Sequence, residues 1–231
     1  NKSIEERIAY NGKRDSVYLS FATRHRTYHI VPDLLSILSE QESISIDTIR
    51  QIYNTMPEKI KTSLMGQLAN KRIEEGERKK LSMIGKIAPD FTRVDLSGEV
   101  VTISDFRNRN YILLDFWASW CAPCLKAVPK MREIYNKYKD NDLIIIGISL
   151  DEDPDNWTKV IEKYKLDLWS QVLDSHKNTD TGLCEEDLSK LYNIGDRIPF
   201  YILINREGRI VARWEWLGEE EMSQINNLIM K

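Results

Sequence analysis

The stretch Leu113-Leu-Asp-Phe-Trp-Ala-Ser-Trp-Cys-Ala-Pro-Cys124 decides the fold of this chain. It continues a nearly unbroken apolar run over residues 111–118, which is the pattern of a strand buried on both faces. A helix is predicted from about Ala122, and Pro123 fits its first turn because a proline there loses no helical hydrogen bond. The sequence therefore predicts two cysteines at the junction between a buried strand and a helix.

This junction gives Cys121 a physical reason to be reactive. A sulfur at a helix N-terminus lies beside unpaired backbone N–H groups and the positive end of the helix dipole, and both favour a thiolate. The thiolate is the nucleophile of disulfide exchange. We therefore predict that Cys121 is an exposed attacking sulfur, and that Cys124, one helical step further in, closes the ring and releases a mixed disulfide.

A carboxylate interrupts the apolar strand six residues before Cys121. If Asp115 is buried without a partner, its pKa is raised, and it is suited to accept a proton from the resolving thiol of Cys124. The alternative is a structural aspartate that is hydrogen-bonded at the end of a strand. The residues alone leave both interpretations open.

Strands and helices alternate along the chain after Gly85. Apolar runs and turn signals predict strands over residues 91–95, 99–103, 111–118, 143–150, 169–174, 200–205 and 209–214, and helices over 122–139, 154–165, 185–192 and from 219. The first two strands are predicted to form a hairpin at Ser97-Gly98, and the last two a hairpin at residues 206–208. This order predicts an α/β fold in which helices sandwich a mixed sheet.

Residues 1–82 are predicted to form a separate helical N-terminal segment. Apolar residues recur at helical spacing from Ile30, over residues 43–53 and again over residues 57–73. The run 71–80 is charged at eight of ten positions, which is typical of an exposed helix end or a linker. We therefore place a domain boundary between residues 82 and 83, with a second domain over 83–231.

The composition excludes several classes of protein. A hydrophobic content of 42% supports a packed core, and a formal net charge of -3 lacks the basic excess that is typical of nucleic-acid binding. No apolar run reaches the roughly 18 residues needed to span a bilayer. Three cysteines do not make a disulfide framework. The chain begins at Asn1 without an apolar leader, which we interpret as a mature or trimmed form.

The segment from Asp115 to Cys124 closely resembles the active site of thioredoxin-fold oxidoreductases. Together with Gly85-Lys-Ile-Ala-Pro-Asp-Phe91 and Ile198-Pro-Phe-Tyr-Ile-Leu-Ile-Asn-Arg-Glu-Gly208, it makes residues 84–231 similar to the TlpA/ResA-like branch, the periplasmic or membrane-associated thiol–disulfide proteins of bacteria. The N-terminal segment resembles the helices appended to Bacteroides-type members. The resemblance implies a thioredoxin-like mixed sheet behind a helical N-terminal segment.

The resemblance also implies where substrate binds. In that family the proline that matches Pro199 follows a cis peptide bond and sits against the active-site disulfide, so Ile198 and Pro199 are expected to pair with substrate. Trp120 directly precedes the first cysteine, and we expect it to stay partly exposed and to add apolar surface for a protein substrate. Many members carry a glutamate where this chain has Ala127, so the acid–base role of that glutamate is absent here.

The function implied is that of a thiol:disulfide oxidoreductase. Cys121 and Cys124 would reduce disulfides in extracytoplasmic proteins, and Asp115, which matches the buried aspartate of thioredoxin, would assist proton transfer. The expected partners are a disulfide-bearing protein substrate and a redox protein that donates or accepts electrons, without nucleic acid; membrane tethering would lie outside this chain. We expect no metal and no organic cofactor. The expected localisation is periplasmic or otherwise extracytoplasmic, in a bacterium.

Two alternative functions remain open. A peroxiredoxin-like thiol peroxidase shares the fold, although its Pro-x-x-x-Thr-x-x-Cys motif would need proline and threonine where this chain has Leu114 and Ala118. A non-catalytic zinc-binding module would join the two cysteines of the motif to His176 and Cys184. On the main interpretation, Cys184 is expected to be an inert thiol.

Two further groups of residues are interpreted as structural. Trp214 and Trp216 alternate on the last strand and are expected to pack in the core or at its edge. The acidic run from Asp151 to Asp155 lacks the spacing of a cation-binding loop and is expected to cap the helix that begins at Pro154.

Overall fold

The computed structural model describes residues 4–41, 44–174, 187–195 and 197–230. Contacts between residues divide the chain into two units, Asn1–Lys80 and Leu81–Lys231. The boundary predicted at residues 82 and 83 concerns independent folding, so it stays a prediction. No helix in the described ranges has both the length and the apolar composition needed to cross a bilayer.

The first unit is built from helices, as the sequence predicted. They are α1 (Ile4–Arg24), α2 (Val31–Ser39), α3 (Ile46–Asn54), α4 (Glu58–Lys61) and α5 (Leu64–Leu81). Apolar residues at helical spacing form its core, and Leu35, Leu38, Ile49 and Ile73 are fully buried. The periodicity had predicted one helix over 57–73, whereas the chain breaks there between α4 and α5.

The charged run 71–80 belongs to α5 and is not a linker. Its Glu77 carboxylate accepts two hydrogen bonds from the Arg50 guanidinium on α3, from Nε at 2.8 Å and from Nη2 at 2.7 Å. The remaining Arg50 nitrogen, Nη1, donates to Asn70 Oδ1 at 2.6 Å. This forked pairing holds α3 against α5.

The second unit contains a mixed sheet between helices, so the predicted fold class is confirmed. The strands are β1 (Thr92–Val94), β2 (Val100–Thr102), β3 (Tyr111–Trp117), β4 (Leu143–Ser149), β5 (Ser170–Leu173), β6 (Phe200–Ile204) and β7 (Ile210–Trp214). The helices are α6 (Ala122–Tyr138), α7 (Pro154–Tyr164), α8 (Leu188–Leu191) and α9 (Glu219–Ile229). The main sheet has the order β5-β4-β3-β6-β7, and β1 and β2 form the predicted hairpin.

Strand β3 lies at the centre of this sheet and is buried on both faces. It pairs in parallel with β4 and antiparallel with β6. Its alternate residues Leu113 and Trp117 belong to one apolar cluster, shared with α6, α7 and α9. Leu114 and Phe116 belong to the other cluster, shared with the β1–β2 hairpin and α8. This two-sided burial explains why the sequence of β3 is an apolar run rather than an alternation.

The pairing register brings three loops to one end of the sheet. Phe116, near the end of β3, pairs with Phe200 at the start of β6. Trp117, the last residue of β3, pairs with Ser149 at the end of β4. The loop after β3, the loop after β4 and the loop before β6 therefore begin or end beside each other.

A fragment that covers residues 81–231 should fold alone, because each cluster of the sheet domain is formed within it. A fragment over 84–231 should be less stable by about 1 kcal/mol, since it lacks the Ser82 carbonyl that accepts a 2.6 Å hydrogen bond from Arg213 Nη1. Urea unfolding followed by circular dichroism measures both. Aggregation or non-cooperative unfolding of the longer fragment would contradict the division into two domains.

Candidate active site

Cys121 caps the N-terminus of α6 and is bonded to Cys124. The sulfur atoms are 1.98 Å apart and the Cα atoms 5.3 Å apart. The backbone N–H of Cys124 donates to Cys121 Sγ at 3.2 Å, so a first-turn N–H points at the sulfur as the sequence predicted. The predicted exposure of Cys121 is wrong for this oxidised state. The residue is 4% exposed because the disulfide packs into the apolar cluster that contains Trp117 and Val128.

A tight turn connects β3 to α6. The backbone N–H of Cys121 donates to the Ala118 carbonyl at 3.1 Å, which places Ser119 and Trp120 at the two central positions of the turn. Trp120 projects outward and is 64% exposed, so its predicted exposure is confirmed. The turn therefore places the large exposed ring of Trp120 next to the buried Cys121.

Asp115 lies on the same face of β3 as Leu113 and Trp117, which is the face of the cluster that includes both cysteines. It is buried, and burial raises the pKa of its carboxyl from 3.8 to about 7. Its neighbour across the β3–β6 pair is Tyr201, whose hydroxyl pKa is also raised, chiefly by burial and further by the charge of Asp115. The carboxyl of Asp115 is therefore poised to exchange a proton near neutral pH.

A glycine opens space beside Asp115 for a buried amide. Gly147 pairs with Asp115 on one side and with Gln171 on the other, and a Cβ on this glycine would lie 2.2 Å from Gln171 Oε1. The Gln171 side chain is held in that space: its Oε1 accepts from Trp117 Nε1 at 3.1 Å, and its Nε2 donates to the Leu166 carbonyl at 2.9 Å. The polar side chains of Tyr201, Asp115 and Gln171 therefore lie in one row across the sheet, with Gly147 between the last two.

The peptide bond between Ile198 and Pro199 is cis, as the resemblance implied. Both residues are half-buried, and Ile198 packs against both apolar clusters of the domain. Pro199 directly precedes β6, whose first residue pairs with Phe116 on β3. The proline therefore lies at the end of the sheet where the turn that carries Cys121 begins.

Trp216 lies at this same end of the sheet, and the sequence interpretation of it as a packed residue is wrong. Trp214, the last residue of β7, pairs with Tyr201, which lies two residues after Pro199. Trp216 is 66% exposed because it follows the end of β7, whereas Trp214 is half-buried. Its Nε1 donates to Glu221 Oε1 at 3.2 Å, which fixes an exposed ring. Alternation along a strand predicted burial, and it fails once the strand has ended.

The acidic run after β4 divides into two roles. Asp153 caps α7, since its Oδ1 accepts from the Asp155 backbone N–H at 3.0 Å and its Oδ2 from Asn156 Nδ2 at 2.8 Å. This confirms the cap predicted for the run. Asp151 turns instead toward the CxxC turn and bonds Ser119, a contact that no sequence pattern indicated.

Two residues of the sequence analysis, His176 and Cys184, lie outside the described residues. The prediction of an inert Cys184 and the zinc-binding alternative therefore stay predictions. Across the described ranges, no three His, Cys, Asp or Glu side chains are grouped so that they could hold a metal ion.

A thioredoxin-like sheet with a cysteine pair at the first turn of α6 and a cis-proline beside it defines a dithiol–disulfide redox protein. Residues 83–228 match the family model described as Redoxin. A thiol-disulfide oxidoreductase ResA from Bacillus thuringiensis subsp. konkukian is 30% identical over 148 residues, which are 64% of this chain and 78% of that protein.

Solved structures of Bacteroides proteins are also similar. The thioredoxin domain of a thiol-disulfide oxidoreductase from Bacteroides vulgatus is 34% identical, with a TM-score of 0.54 over 64% of this chain and 98% of that one. A thiol-disulfide oxidoreductase from Bacteroides fragilis is 35% identical, with a TM-score of 0.52 over 62% of this chain and 99% of that one. The chain belongs to the Redoxin family, as a thioredoxin-fold thiol–disulfide oxidoreductase of the TlpA/ResA-like branch.

Asp115→Asn should change both stability and rate. The pKa of Asp115 is about 7 in the folded state and 3.8 as the ordinary value. The contribution of the protonated carboxyl to the free energy of unfolding is therefore fully present below pH 4 and is lost as the pH rises through about 7. The neutral variant escapes this loss, so its stability advantage over the wild type should grow by up to about 4 kcal/mol between pH 4 and pH 8. Its rate of disulfide reduction should fall about 10-fold. Urea unfolding at both pH values and stopped-flow kinetics measure these effects.

Asp95→Asn is the control with the opposite sign. Burial raises the pKa of Asp95, but hydrogen bonds from Ser97, Glu99 and Ser170 outweigh it and lower the pKa overall. Stability from such a group is present above its unfolded pKa and is lost as the pH falls, so this variant should be the less stable one at pH 8. If Asp115→Asn shows no pH-dependent difference and an unchanged rate, Asp115 is a structural residue.

Proposed function

We propose that this protein reduces disulfide bonds of extracytoplasmic bacterial proteins with the Cys121–Cys124 dithiol. The observation that carries the proposal is the position of Cys121 at the N-cap of α6, where a backbone N–H already donates to its sulfur. A group held in this way is stabilised as a thiolate, and the thiolate is the attacking species in disulfide exchange. The names of the ResA relatives and of the Bacteroides structures support the same chemistry.

The reaction proceeds in two thiol–disulfide exchanges. The Cys121 thiolate attacks one sulfur of the substrate disulfide; that bond breaks, a mixed disulfide forms, and the other substrate sulfur leaves as a thiolate and takes a proton. Cys124 then loses its proton to the Asp115 carboxylate and attacks Cys121 Sγ. The internal disulfide of the structure forms, and the second substrate thiolate leaves. Two electrons pass to the substrate, and a partner redox protein must return them.

The surroundings of Cys121 favour the reducing direction. Strongly oxidising members of this fold owe their potential to an unusually stable reduced thiolate. Within the described part of the chain, the Cys121 sulfur accepts a hydrogen bond from the Cys124 backbone N–H, and no Lys, Arg or His side chain donates one to it. Stabilisation by one N–H and a helix terminus is modest, so the dithiol should give up its electrons readily.

Two exposed tryptophans lie at the end of the sheet that carries the disulfide and the cis-proline. Trp120 precedes Cys121, and Trp216 follows the end of β7, whose last residue pairs with Tyr201 just after Pro199. A strand of substrate that pairs with the backbone at Ile198 and Pro199 would bind at this end of the sheet. Large, rigid aromatic rings are typical anchors in protein interfaces. We infer that the substrate is an extended segment of a protein rather than a small disulfide.

The location of the protein follows from this proposal. Protein disulfides persist in the oxidising compartments outside the cytoplasm. A periplasmic position, with any membrane tether outside this chain, would give the dithiol its substrates and its electron donor.

The reduction potential tests the proposed direction. Equilibration with glutathione buffers, read out by alkylation and mass spectrometry, should give a potential of about -270 mV, the value typical of reductants of this fold. The reduced protein should also reduce an oxidised test protein faster than it consumes hydrogen peroxide. A potential above about -180 mV would indicate an oxidase or isomerase, and preferential peroxide consumption would indicate the peroxidase.

Trp120→Ala and Trp216→Ala test the substrate surface. Each should raise KM for an oxidised protein about 5- to 10-fold, because a contact ring is lost, and leave the rate with a small aromatic disulfide unchanged. Val100→Ala is the matched control, since Val100 is an equally exposed apolar side chain on β2. Equal KM values for all three variants and the wild type would show that the tryptophans do not bind substrate.

A further inference from the structure

Asp151 is a buried carboxylate that the proposed reaction does not use. It lies just after β4 and is 3% exposed. In the part of the chain that the structure describes, no cationic side chain pairs with it. A buried charge without a counter-ion needs hydrogen bonds to compensate for lost hydration. The groups that donate hydrogen bonds to Asp151 therefore indicate which segment this residue holds.

Within the described residues, two serines supply the side-chain hydrogen bonds of Asp151. Oδ2 accepts from the backbone N–H of Ser119 at 2.8 Å, and Oδ1 accepts from the hydroxyl of the same serine at 2.6 Å. Ser149 Oγ donates to Oδ2 at 2.6 Å and accepts from the Asp151 backbone N–H at 3.1 Å. Ser149 is fully buried at the end of β4 and fixes the position of the carboxylate. Both oxygens of this carboxylate then accept hydrogen bonds from Ser119.

Ser119 is a central residue of the turn that carries the reactive cysteine. The turn is closed by the hydrogen bond from the Cys121 N–H to the Ala118 carbonyl, and Trp120 projects from it. The backbone N–H of Leu150 also donates to the Trp117 carbonyl at 2.9 Å, so the ends of β3 and β4 stay joined up to the turn. Asp151 therefore attaches this turn to the end of β4.

We propose that Asp151 is a positioning residue for thiol–disulfide exchange, which holds the turn that presents Trp120 and Cys121 to substrate. The inference rests on the proposed function. The competing role as a helix cap is taken by Asp153, which accepts from the Asp155 N–H at the start of α7. Displacement of a reacting group by about 1 Å can lower a rate on the order of 100-fold, so a device that fixes this turn affects the reaction directly.

The chain contains a second Asp–Ser pair of the same design, which supplies a matched control. Asp174 is buried, its Oδ1 accepts from the Ser189 backbone N–H at 3.0 Å, and its Oδ2 accepts from the Ser189 hydroxyl. This pair holds the beginning of α8, and among the described residues neither of its side chains bonds to the CxxC turn. Ser189→Ala and Ser119→Ala remove the same hydroxyl from the same kind of pair.

The test compares these variants with Asp151→Ala and Asp151→Asn in the full-length chain. We measure the second-order rate with an oxidised test protein, the pH dependence of Cys121 alkylation and the reduction potential, each on protein shown to be folded. Asp151→Ala should lower the rate at least 10-fold and shift the alkylation profile, and Ser119→Ala should lower the rate about 3-fold. Asp151→Asn can keep every contact if the Ser119 hydroxyl rotates, so it should stay within 2-fold of the wild type. Ser189→Ala should change none of the three.

Several outcomes would overturn the proposal. A folded Asp151→Ala with wild-type rate and alkylation would show that the turn needs no anchor. If Asp151→Ala does not fold, Ser119→Ala decides, and equality with Ser189→Ala in all three measurements contradicts the proposal. A loss in Asp151→Asn as large as in Asp151→Ala would assign the effect to charge rather than to positioning. An inactive wild type would refute the proposed function instead, so the two failures are distinguishable.

Discussion

The short connection between β3 and α6 is the constraint on which the site depends. β3 is buried on both faces and paired on both edges, so its end has a fixed place. Only the residues from Ala118 to Cys121 separate it from α6, and a closed turn takes up this length. This connection places the Cys124 N–H, in the first turn of α6, within hydrogen-bond distance of the Cys121 sulfur. Nucleophile and activating dipole are therefore set by the backbone rather than by neighbouring charges.

Two buried carboxylates near this junction illustrate how surroundings decide the role of one residue type. Asp115 sits inside the sheet, and burial raises its pKa to about 7, so it can change protonation state during a reaction. Asp151 sits at the end of β4 and receives hydrogen bonds on both oxygens, which suits it to hold a neighbouring segment in place. We propose proton transfer for Asp115 because of its burial, and positioning for Asp151 because of its hydrogen-bond donors. Gly147 contributes by leaving room for the amide of Gln171 beside Asp115.

Much of this could be predicted from the sequence, because the decisive signals are local. The apolar run of β3, Pro123 in the first turn of α6 and the two cysteines fall within one continuous segment, and their positions were predicted correctly. The family resemblance supplied the cis bond before Pro199, which composition and periodicity could not show. Period and spacing also located the seven predicted strands to within one residue at each end.

Apart from the local break between α4 and α5, the predictions that failed and the contacts that were missed depend on how segments end and pack. The burial of Cys121 depends on how the disulfide packs beside Trp117 and Val128 in the oxidised state. The exposure of Trp216 depends on where β7 ends, and the bond from Ser119 to Asp151 spans 32 positions along the chain. None of these leaves a periodic pattern, because each is decided by tertiary packing rather than by the local conformation of the backbone.

We propose that Cys121 attacks the substrate disulfide and that Cys124 resolves the mixed disulfide. Reaction of the reduced Cys124→Ser and Cys121→Ser variants with an oxidised test protein, read out by mass spectrometry of the trapped adducts, tests it directly. We expect Cys124→Ser to accumulate a stable mixed disulfide through Cys121, whose alkylation midpoint should lie well below the free-thiol pKa of about 8.5. We expect Cys121→Ser to trap almost nothing. Equal trapping by both variants, or an adduct that forms only through Cys124, would contradict the assignment of the two sulfurs.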